Sequence, residues 1–242
     1  MRTELYALEA VGLCRRFGGV QALDGASLTL ERGRITALLG SSGAGKSTLL
    51  ACLSGAERPE SGSIRIDGRP LTLGSPRLAQ KAGVRLVPQS PALAGGLDVA
   101  SHIFLGREPL KWGLWVDRKK MAQDAQNLLD RWEVPLPARG VRVGDLSRGQ
   151  QQTILLLQAL AAGARVLLLD EPAAFIGLRD RERFFKMLGE FRSSDAALLC
   201  AFHRLSDALR FSDNLAVLAR GKIVLTCQAA QADGAEILSA MG

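Results

Sequence analysis

The stretch Gly40-Ser41-Ser42-Gly43-Ala44-Gly45-Lys46-Ser47-Thr48 fits the pattern G-x-x-x-x-G-K-[ST]. An apolar, strand-like run, Ile35–Leu39, precedes it, and a helix-like run, residues 48–53, follows it. This order predicts a phosphate-binding loop, because glycines let successive backbone N–H groups face an anion and the helix adds its positive N-terminal end. Lys46 is expected to reach the terminal phosphates, and the Ser47 hydroxyl to bind Mg²⁺.

The composition indicates one packed α/β domain, with or without an inserted subdomain, because 47% of the 242 residues are hydrophobic. The most apolar region, residues 154–169, is interrupted by Gln158, Gly163 and Arg165, so we expect no membrane span. The N-terminal residues lack the apolar segment of a signal peptide. We therefore expect the domain to stay in the cytoplasm.

The net charge of +7 comes from seven lysines and 24 arginines against 24 acidic residues. Two explanations stay open: a nucleic-acid or acidic membrane partner, or a compositional bias of the genome. The scattered placement of the charges favours the second. The four cysteines are far apart and form no C-x-x-C pair, which predicts reduced, mostly buried thiols rather than a metal site or disulfides.

The first portion of the chain has a mainly β pattern around the glycine loop. Residues 5–30 predict strands broken by turns at Gly18-Gly19 and Asp24-Gly25. Residues 63–67 predict a further hairpin strand, and Val84–Val87 forms a short apolar run that ends before Pro88 and Gln89.

The middle of the chain changes to a helical pattern before an α/β pattern returns. Expected here are helices at 117–132 and 150–162, then a strand at 166–169, a helix at 180–191, a strand at 197–202, a helix at Leu205–Phe211, and strands at 215–219 and 222–225. We therefore predict a single domain with an α/β core, about residues 1–91 and 163–242, and an inserted helical subdomain, about residues 92–162.

The run Val166-Leu167-Leu168-Leu169-Asp170-Glu171-Pro172 predicts a buried parallel strand that ends in two acids. Ligands bind at the carboxyl ends of such strands. Asp170 is then expected to hold Mg²⁺ through water, and Glu171 to orient or deprotonate an attacking water molecule. The alternative is that both acids are structural.

A third motif, Leu146-Ser147-Arg148-Gly149-Gln150, opens the second predicted helix. Ser147 suits an N-cap and need be nothing more. The alternative is a second anion site, formed by the helix N-terminus, the serine hydroxyl and the glycine. Two phosphate-seeking surfaces in one domain favour a dimer that closes over the nucleotide.

Together these motifs, from about residue 13 to residue 225, resemble the ATP-binding-cassette (ABC) ATPase family. The matches are Walker A at residues 40–48, the Q-loop glutamine Gln89, the signature motif at residues 146–150, Walker B at residues 166–170, the catalytic base Glu171 and the switch histidine His203. Phe17 resembles the aromatic residue that stacks on adenine, although it also suits a core position. The resemblance implies a P-loop NTPase (RecA-like) core with an antiparallel β subdomain and an inserted α-helical subdomain.

The resemblance also implies the partners. Two cassettes, identical or different, pack head to tail, and each ATP lies between the Walker A loop of one cassette and the Ser147, Gly149 and Gln150 end of the other. Gln89 is expected to take part in catalysis, to bind Mg²⁺ and to respond to transmembrane permease subunits at the cytoplasmic face of the membrane. A periplasmic or extracellular solute-binding protein acts indirectly, and no nucleic acid is expected. Residues 73–76, 87–89, 103–109 and 150–152 resemble monosaccharide importers.

Some positions depart from the family pattern. Ala173 replaces a threonine, Gln158 replaces an arginine, and the D-loop segment Ala174-Phe175-Ile176-Gly177 lacks its aspartate. Hydrolysis is expected to survive but to be slow or uncoupled. Two other functions stay open: a soluble cassette ATPase that acts on nucleic acid or ribosomes, and an ATP-binding regulator with weakened hydrolysis.

Overall fold

The computed structural model describes residues 5–90, 93–172, 174, 176–193 and 195–242. Strands and helices follow one another as β1 (Tyr6–Phe17), β2 (Val20–Glu31), β3 (Ile35–Leu39), α1 (Lys46–Leu53), β4 (Ser61–Ile66), β5 (Arg69–Pro70), α2 (Pro76–Lys81), β6 (Val84–Val87), α3 (Val99–Ile103), β7 (Leu110–Lys111), β8 (Trp115–Val116), α4 (Arg118–Arg131), α5 (Arg148–Ala161), β9 (Val166–Asp170), α6 (Leu178–Ser193), β10 (Ala197–Ala201), α7 (Leu205–Phe211), β11 (Asn214–Ala219), β12 (Lys222–Gln228) and α8 (Gly234–Met241). The chain divides into a first unit, Met1–Gln89 with Arg165–Pro172 and Gly189–Gly242, and a second unit, Ser90–Ala164 with Ala173–Leu188.

The first unit contains a six-stranded sheet in the order β12-β11-β3-β10-β9-β6. All neighbours pair in parallel except β11 and β12. Every residue of β3, β9 and β10 is buried, as continuous apolar runs predict for parallel strands covered on both faces. The carboxyl ends of β3, β10, β9 and β6 therefore meet at one edge of the sheet.

The first unit also contains an antiparallel sheet in the order β2-β1-β4-β5. The turn predicted at Gly18-Gly19 joins β1 to β2, but the turn predicted at Asp24-Gly25 is wrong. β2 continues through this point, where Leu13 pairs with Ala26 and Cys14 pairs with Asp24. Gly25, at φ 79°, is the extra residue of a β-bulge, so a positive-φ glycine bends the strand without ending it.

The second unit is mainly helical. Helices α4 and α5 lie where the apolar periodicity predicts them, and α3 packs against both. The hairpin of β7 and β8 was not predicted, because its strands have only two residues each. Among the helices of the described residues, none is long and apolar enough to cross a membrane.

Candidate active site

The glycine loop joins the end of β3 to the start of α1. A Cβ atom at Gly40 would lie 2.3 Å from the Leu218 carbonyl oxygen, and one at Gly45 would lie 2.3 Å from the Ala22 carbonyl oxygen, so only glycine fits at either position. Gly45 also has a left-handed φ of 107° directly before α1. Among the described residues no side chain caps this helix, so its first N–H groups are donors suited to an anion.

The loop is held from the side by the turn between β11 and β12. The Gly221 N–H donates to the Ala44 carbonyl at 3.1 Å, and the Asp24 N–H of β2 donates to the Gly221 carbonyl at 2.9 Å. Sequence reasoning missed this support. The Arg220-Gly221 pair predicts a turn, but it carries no signal of what the turn contacts.

Lys46 folds back over the loop. Its Nζ donates to the Gly40 carbonyl at 2.7 Å and to the Ser41 carbonyl at 3.0 Å, and the residue is only 7% exposed. Burial lowers the pKa of Lys46, while the charges of Glu171 and Asp170 act in the opposite direction. The ammonium group is therefore placed by the backbone of the glycine loop, in the field of both carboxylates.

Three polar side chains follow three adjacent strands. Gln89 comes after β6, Glu171 after β9 and His203 after β10. Asp170, the last residue of β9, is 9% exposed. Because these strands are parallel, the four residues meet at the sheet edge that also carries the glycine loop.

The Glu171 carboxylate lies at the centre of this group. Its Oε2 accepts a hydrogen bond from Gln89 Nε2 at 2.6 Å, and its Oε1 lies 2.7 Å from His203 Nε2. Glu171 has a φ of 50°, in the left-handed region that non-glycine residues rarely occupy, and its N–H donates to the Ala201 carbonyl at 3.2 Å. This conformation aims the carboxylate at both neighbours, a relationship that the motif spacing did not reveal.

The signature residues lie in the second unit. Ser147 Oγ accepts from the Gln150 N–H at 3.3 Å, and Gln150 Oε1 accepts from the Ser147 N–H at 2.9 Å, which together form a capping box on α5. Ser147, Gly149 and Gln150 also line a cavity of about 110 Å³, together with Ile176 and Gly177 of the same unit. The helix end is thus capped by its own side chains and lies beside Ile176 and Gly177 of the D-loop segment.

Other sequence-predicted positions have simpler surroundings. Phe17 ends β1, is 44% exposed, and has the Arg15 guanidinium 4.6 Å from the centre of its ring. Ser41, Ser42, Gly43 and Ser47 are exposed, and Thr48 is partly buried. Ala173 and Phe175, two of the departures from the family pattern, lie outside the described residues.

Cys52 and Cys200 are buried free thiols, while Cys14 and Cys227 are half-buried.

The residues at the sheet edge fit a nucleotide and its metal. A glycine loop before an uncapped helix and a buried ammonium group suit phosphate oxygens. The Ser47 hydroxyl and the Asp170 carboxylate are oxygen donors, the type that Mg²⁺ prefers. A parallel sheet with such a loop at its carboxyl edge defines the class of P-loop nucleotide-binding domains.

Comparisons with known proteins identify the family within this class. The family model described as ABC transporter matches residues 23–174. The chain is 37% identical to the "Ribose import ATP-binding protein" of Rhodopirellula baltica over 224 residues, which are 91% of this chain and 43% of that protein. It is 35% identical to a "Putative ribose/galactose/methyl galactoside import ATP-binding protein" of Burkholderia cenocepacia, over 98% of this chain and 46% of that protein. The chain therefore belongs to the ABC transporter family, and it spans about half the length of these relatives.

Solved structures agree on the fold. A nucleotide-free ATP-binding cassette from an ABC transporter has a TM-score of 0.80 at 24% identity, over 97% of this chain and 96% of that one. A dimeric bacterial ABC transporter cassette has a TM-score of 0.79 at 20% identity, over 92% of this chain and 98% of that one. The fold class expected from the sequence, an ABC-type P-loop ATPase fold, is confirmed.

Proposed function

We propose that this chain binds and hydrolyses ATP and powers an ABC-type membrane importer, with a sugar as the solute. The observation that carries this proposal is the Glu171 carboxylate, held between Gln89 and His203 at the sheet edge that also carries Lys46. The relatives named as ribose and galactoside import proteins support the sugar as the class of solute. In this proposal the whole chain is one ABC ATPase domain, with its core at about residues 1–91 and 163–242.

The site residues divide the binding and the hydrolysis of ATP among them in this proposal. Lys46 and the N–H groups of the glycine loop bind the phosphates, and Phe17 stacks on the adenine. Ser47, Asp170 and Gln89 hold Mg²⁺, which when bound neutralises charge on the phosphate oxygens. Glu171 orients or deprotonates the attacking water, and Gln89 and His203 keep the Glu171 carboxylate in position.

The proposed partners follow from the second anion surface. Ser147, Gly149 and Gln150 at the start of α5 cover the ATP of a second cassette, because the positive N-terminal end of the α5 dipole attracts an anion even where the capping box fills some of the N–H groups. Permease subunits at the cytoplasmic face of the membrane and, indirectly, a solute-binding protein complete the proposed importer. No nucleic-acid partner is expected.

Mixing two inactive variants tests the shared site. Lys46→Ala removes the phosphate ligand, Ser147→Arg blocks the covering surface, and each alone is expected to be inactive. A mixed dimer has one intact site, so an equal mixture is expected to recover roughly a quarter of wild-type ATP hydrolysis. Ser239→Arg, on the exposed face of α8, is the matched control and should hydrolyse ATP normally. A mixture that stays inactive contradicts head-to-tail pairing of identical copies.

A fractionation experiment separates transport from the alternative of a soluble cassette ATPase that acts on nucleic acid or ribosomes. Co-expressed with permease subunits, the chain is expected to sediment with membranes, and ATP-dependent sugar uptake is expected to need Glu171. Recovery of the chain with ribosomes or DNA instead would contradict the transport function.

A further inference from the structure

A small hairpin in the second unit exposes an apolar surface. Residues 110–116, here called the tryptophan hairpin, comprise β7, a three-residue loop and β8, with Leu110 paired to Val116 and Lys111 paired to Trp115. Trp112, Leu114 and Trp115 are 82%, 81% and 72% exposed, whereas the third tryptophan of the chain is 4% exposed. Contiguous exposed apolar side chains of this size mark interaction sites.

The loop of the hairpin holds its tryptophan in an unfavourable conformation. Trp112 has a φ of 53° and is followed by Gly113 at 73°, so a bulky residue occupies the left-handed region. The Leu114 N–H donates to the Lys111 carbonyl at 3.3 Å and closes the loop. Lys111 Nζ lies 4.9 Å from the centre of the Trp112 ring. The hairpin thus presents an indole and an ammonium group side by side to solvent.

The surroundings of the hairpin are basic. Arg107, Lys111, Arg118, Lys119 and Lys120 are all exposed. The two acidic residues of this segment bond to backbone N–H groups: Glu108 accepts from Gly106 at 3.0 Å, and Asp117 accepts from Lys120 at 2.9 Å. Five cations therefore flank the apolar tip against two carboxylates, so the segment keeps a net positive charge.

We propose that the tryptophan hairpin and its flanking basic residues bind the surface of a membrane that contains anionic lipids. Tryptophan side chains settle at the level of the lipid headgroups, where an apolar ring and a polar N–H are both accommodated. Lysine and arginine next to them are attracted to anionic headgroups. A permease loop is a poorer electrostatic complement, because cytoplasmic loops of membrane proteins carry an excess of lysine and arginine. This contact does not depend on the proposed hydrolysis of ATP.

Vesicle binding by the purified full chain tests this proposal. The chain is expected to sediment with vesicles of phosphatidylcholine and phosphatidylglycerol and to bind pure phosphatidylcholine more weakly. Trp112→Ser combined with Trp115→Ser is expected to lower the partition coefficient at least about tenfold. Lys119→Gln combined with Lys120→Gln is expected to lower the partition coefficient about fivefold for each lysine charge removed. This effect is expected with the anionic vesicles only. Val20→Ser, at another exposed apolar position, and Lys81→Gln, at another exposed cation, are the matched controls.

Tryptophan fluorescence gives a second readout that does not depend on sedimentation. Brominated lipids are expected to quench the emission of the wild-type chain, and quenching should be lost in the double tryptophan variant, in which only the buried Trp132 emits. Wild-type chain that neither sediments with anionic vesicles nor is quenched would overturn the proposal. Self-association in the absence of lipid would also overturn it if every protein but the double tryptophan variant self-associated. The hairpin would then bind a second copy of the chain.

Discussion

Gln89 donates a hydrogen bond of 2.6 Å to Glu171, although 82 positions separate the two residues in the sequence. His203 holds the other oxygen of the same carboxylate at 2.7 Å. The three residues come from the ends of β6, β9 and β10, so the sheet itself fixes the carboxylate. A carboxylate held at both oxygens has its orientation set before any substrate binds, which is a requirement for an effective base.

Removing the amide that orients Glu171 should slow hydrolysis. Gln89→Ala is expected to lower kcat about tenfold to a hundredfold, because small displacements of a catalytic group are costly. Steady-state ATP hydrolysis measures the effect. Gln80→Ala, at an exposed position of α2, serves as the control and should keep the wild-type rate. Wild-type kcat in Gln89→Ala would mean that the hydrogen bond has no part in the reaction.

The close approach of the glycine loop to β2 predicts a steric effect at Gly45. Gly45→Ala places a Cβ atom 2.3 Å from the Ala22 oxygen and is expected to cost about 2 kcal/mol of unfolding free energy or more. Gly43→Ala is the matched control, because Gly43 also has a positive φ, 79°, but a Cβ there meets nothing within 4 Å. It should cost only about 1 kcal/mol for the backbone conformation. If chemical denaturation shows that both variants lose the same unfolding free energy, the contact with the Ala22 oxygen is not the cause of the loss.

The buried histidine of the second unit predicts a dependence of stability on pH. His102 is 3% exposed, its Nδ1 has no hydrogen-bond partner among the described residues, and burial lowers its pKa from the ordinary 6.5. As the pH falls below 6.5, His102 takes up a proton in the unfolded chain before it does so in the folded one. The unfolding free energy therefore falls as the pH falls. The slope contributed is at most about 1.4 kcal/mol per pH unit.

Urea denaturation between about pH 5 and pH 7 measures this slope. His102→Asn is expected to flatten it, whereas the same change at His203, the only other histidine, should leave the contribution of His102 in place. A His102→Asn curve that runs parallel to the wild-type curve over this range would refute the assignment.

The missing acid of the D-loop predicts a gain of activity. Gly177 lines the cavity beside Ser147 and Gln150, and a Cβ there meets nothing within 4 Å, so Gly177→Asp fits. It is expected to raise ATP hydrolysis several-fold, because it restores the aspartate that the family carries in this segment. Gly189→Asp, within α6 and also without a neighbour within 4 Å, controls for an added negative charge. If the wild-type protein hydrolyses ATP slowly and Gly177→Asp does not raise the rate, the missing aspartate is not the cause of the slow hydrolysis.

The sequence predicted some elements with their observed bounds and others incorrectly. Ile35–Leu39, Val84–Val87 and Leu205–Phe211 were predicted with their observed bounds. The two strands are short, mainly apolar runs that end at Gly40 and Pro88. The Asp24-Gly25 turn was wrong, since the same dipeptide chemistry also serves a bulge inside a paired strand.

Contacts between distant elements were beyond the reach of the sequence. Neither the support of Ala44 by Gly221 nor the contact of Gly45 with Ala22 leaves a periodic signal, because each depends on how separate strands meet. The acids and the glutamine of the site were predicted one by one from their motifs. The hydrogen bond that joins Gln89 to Glu171 follows only from the order of the strands in the sheet.

Replacing the central carboxylate by its amide tests the proposed function most directly. Glu171→Gln keeps the size of the side chain but removes the base, so ATP hydrolysis is expected to fall at least about a hundredfold while ATP still binds. Glu236→Gln, on exposed α8, is the control. After incubation with ATP, the nucleotide retained by Glu171→Gln should be ATP, whereas the wild-type protein should hold ADP. Turnover by Glu171→Gln at the wild-type rate would contradict the account.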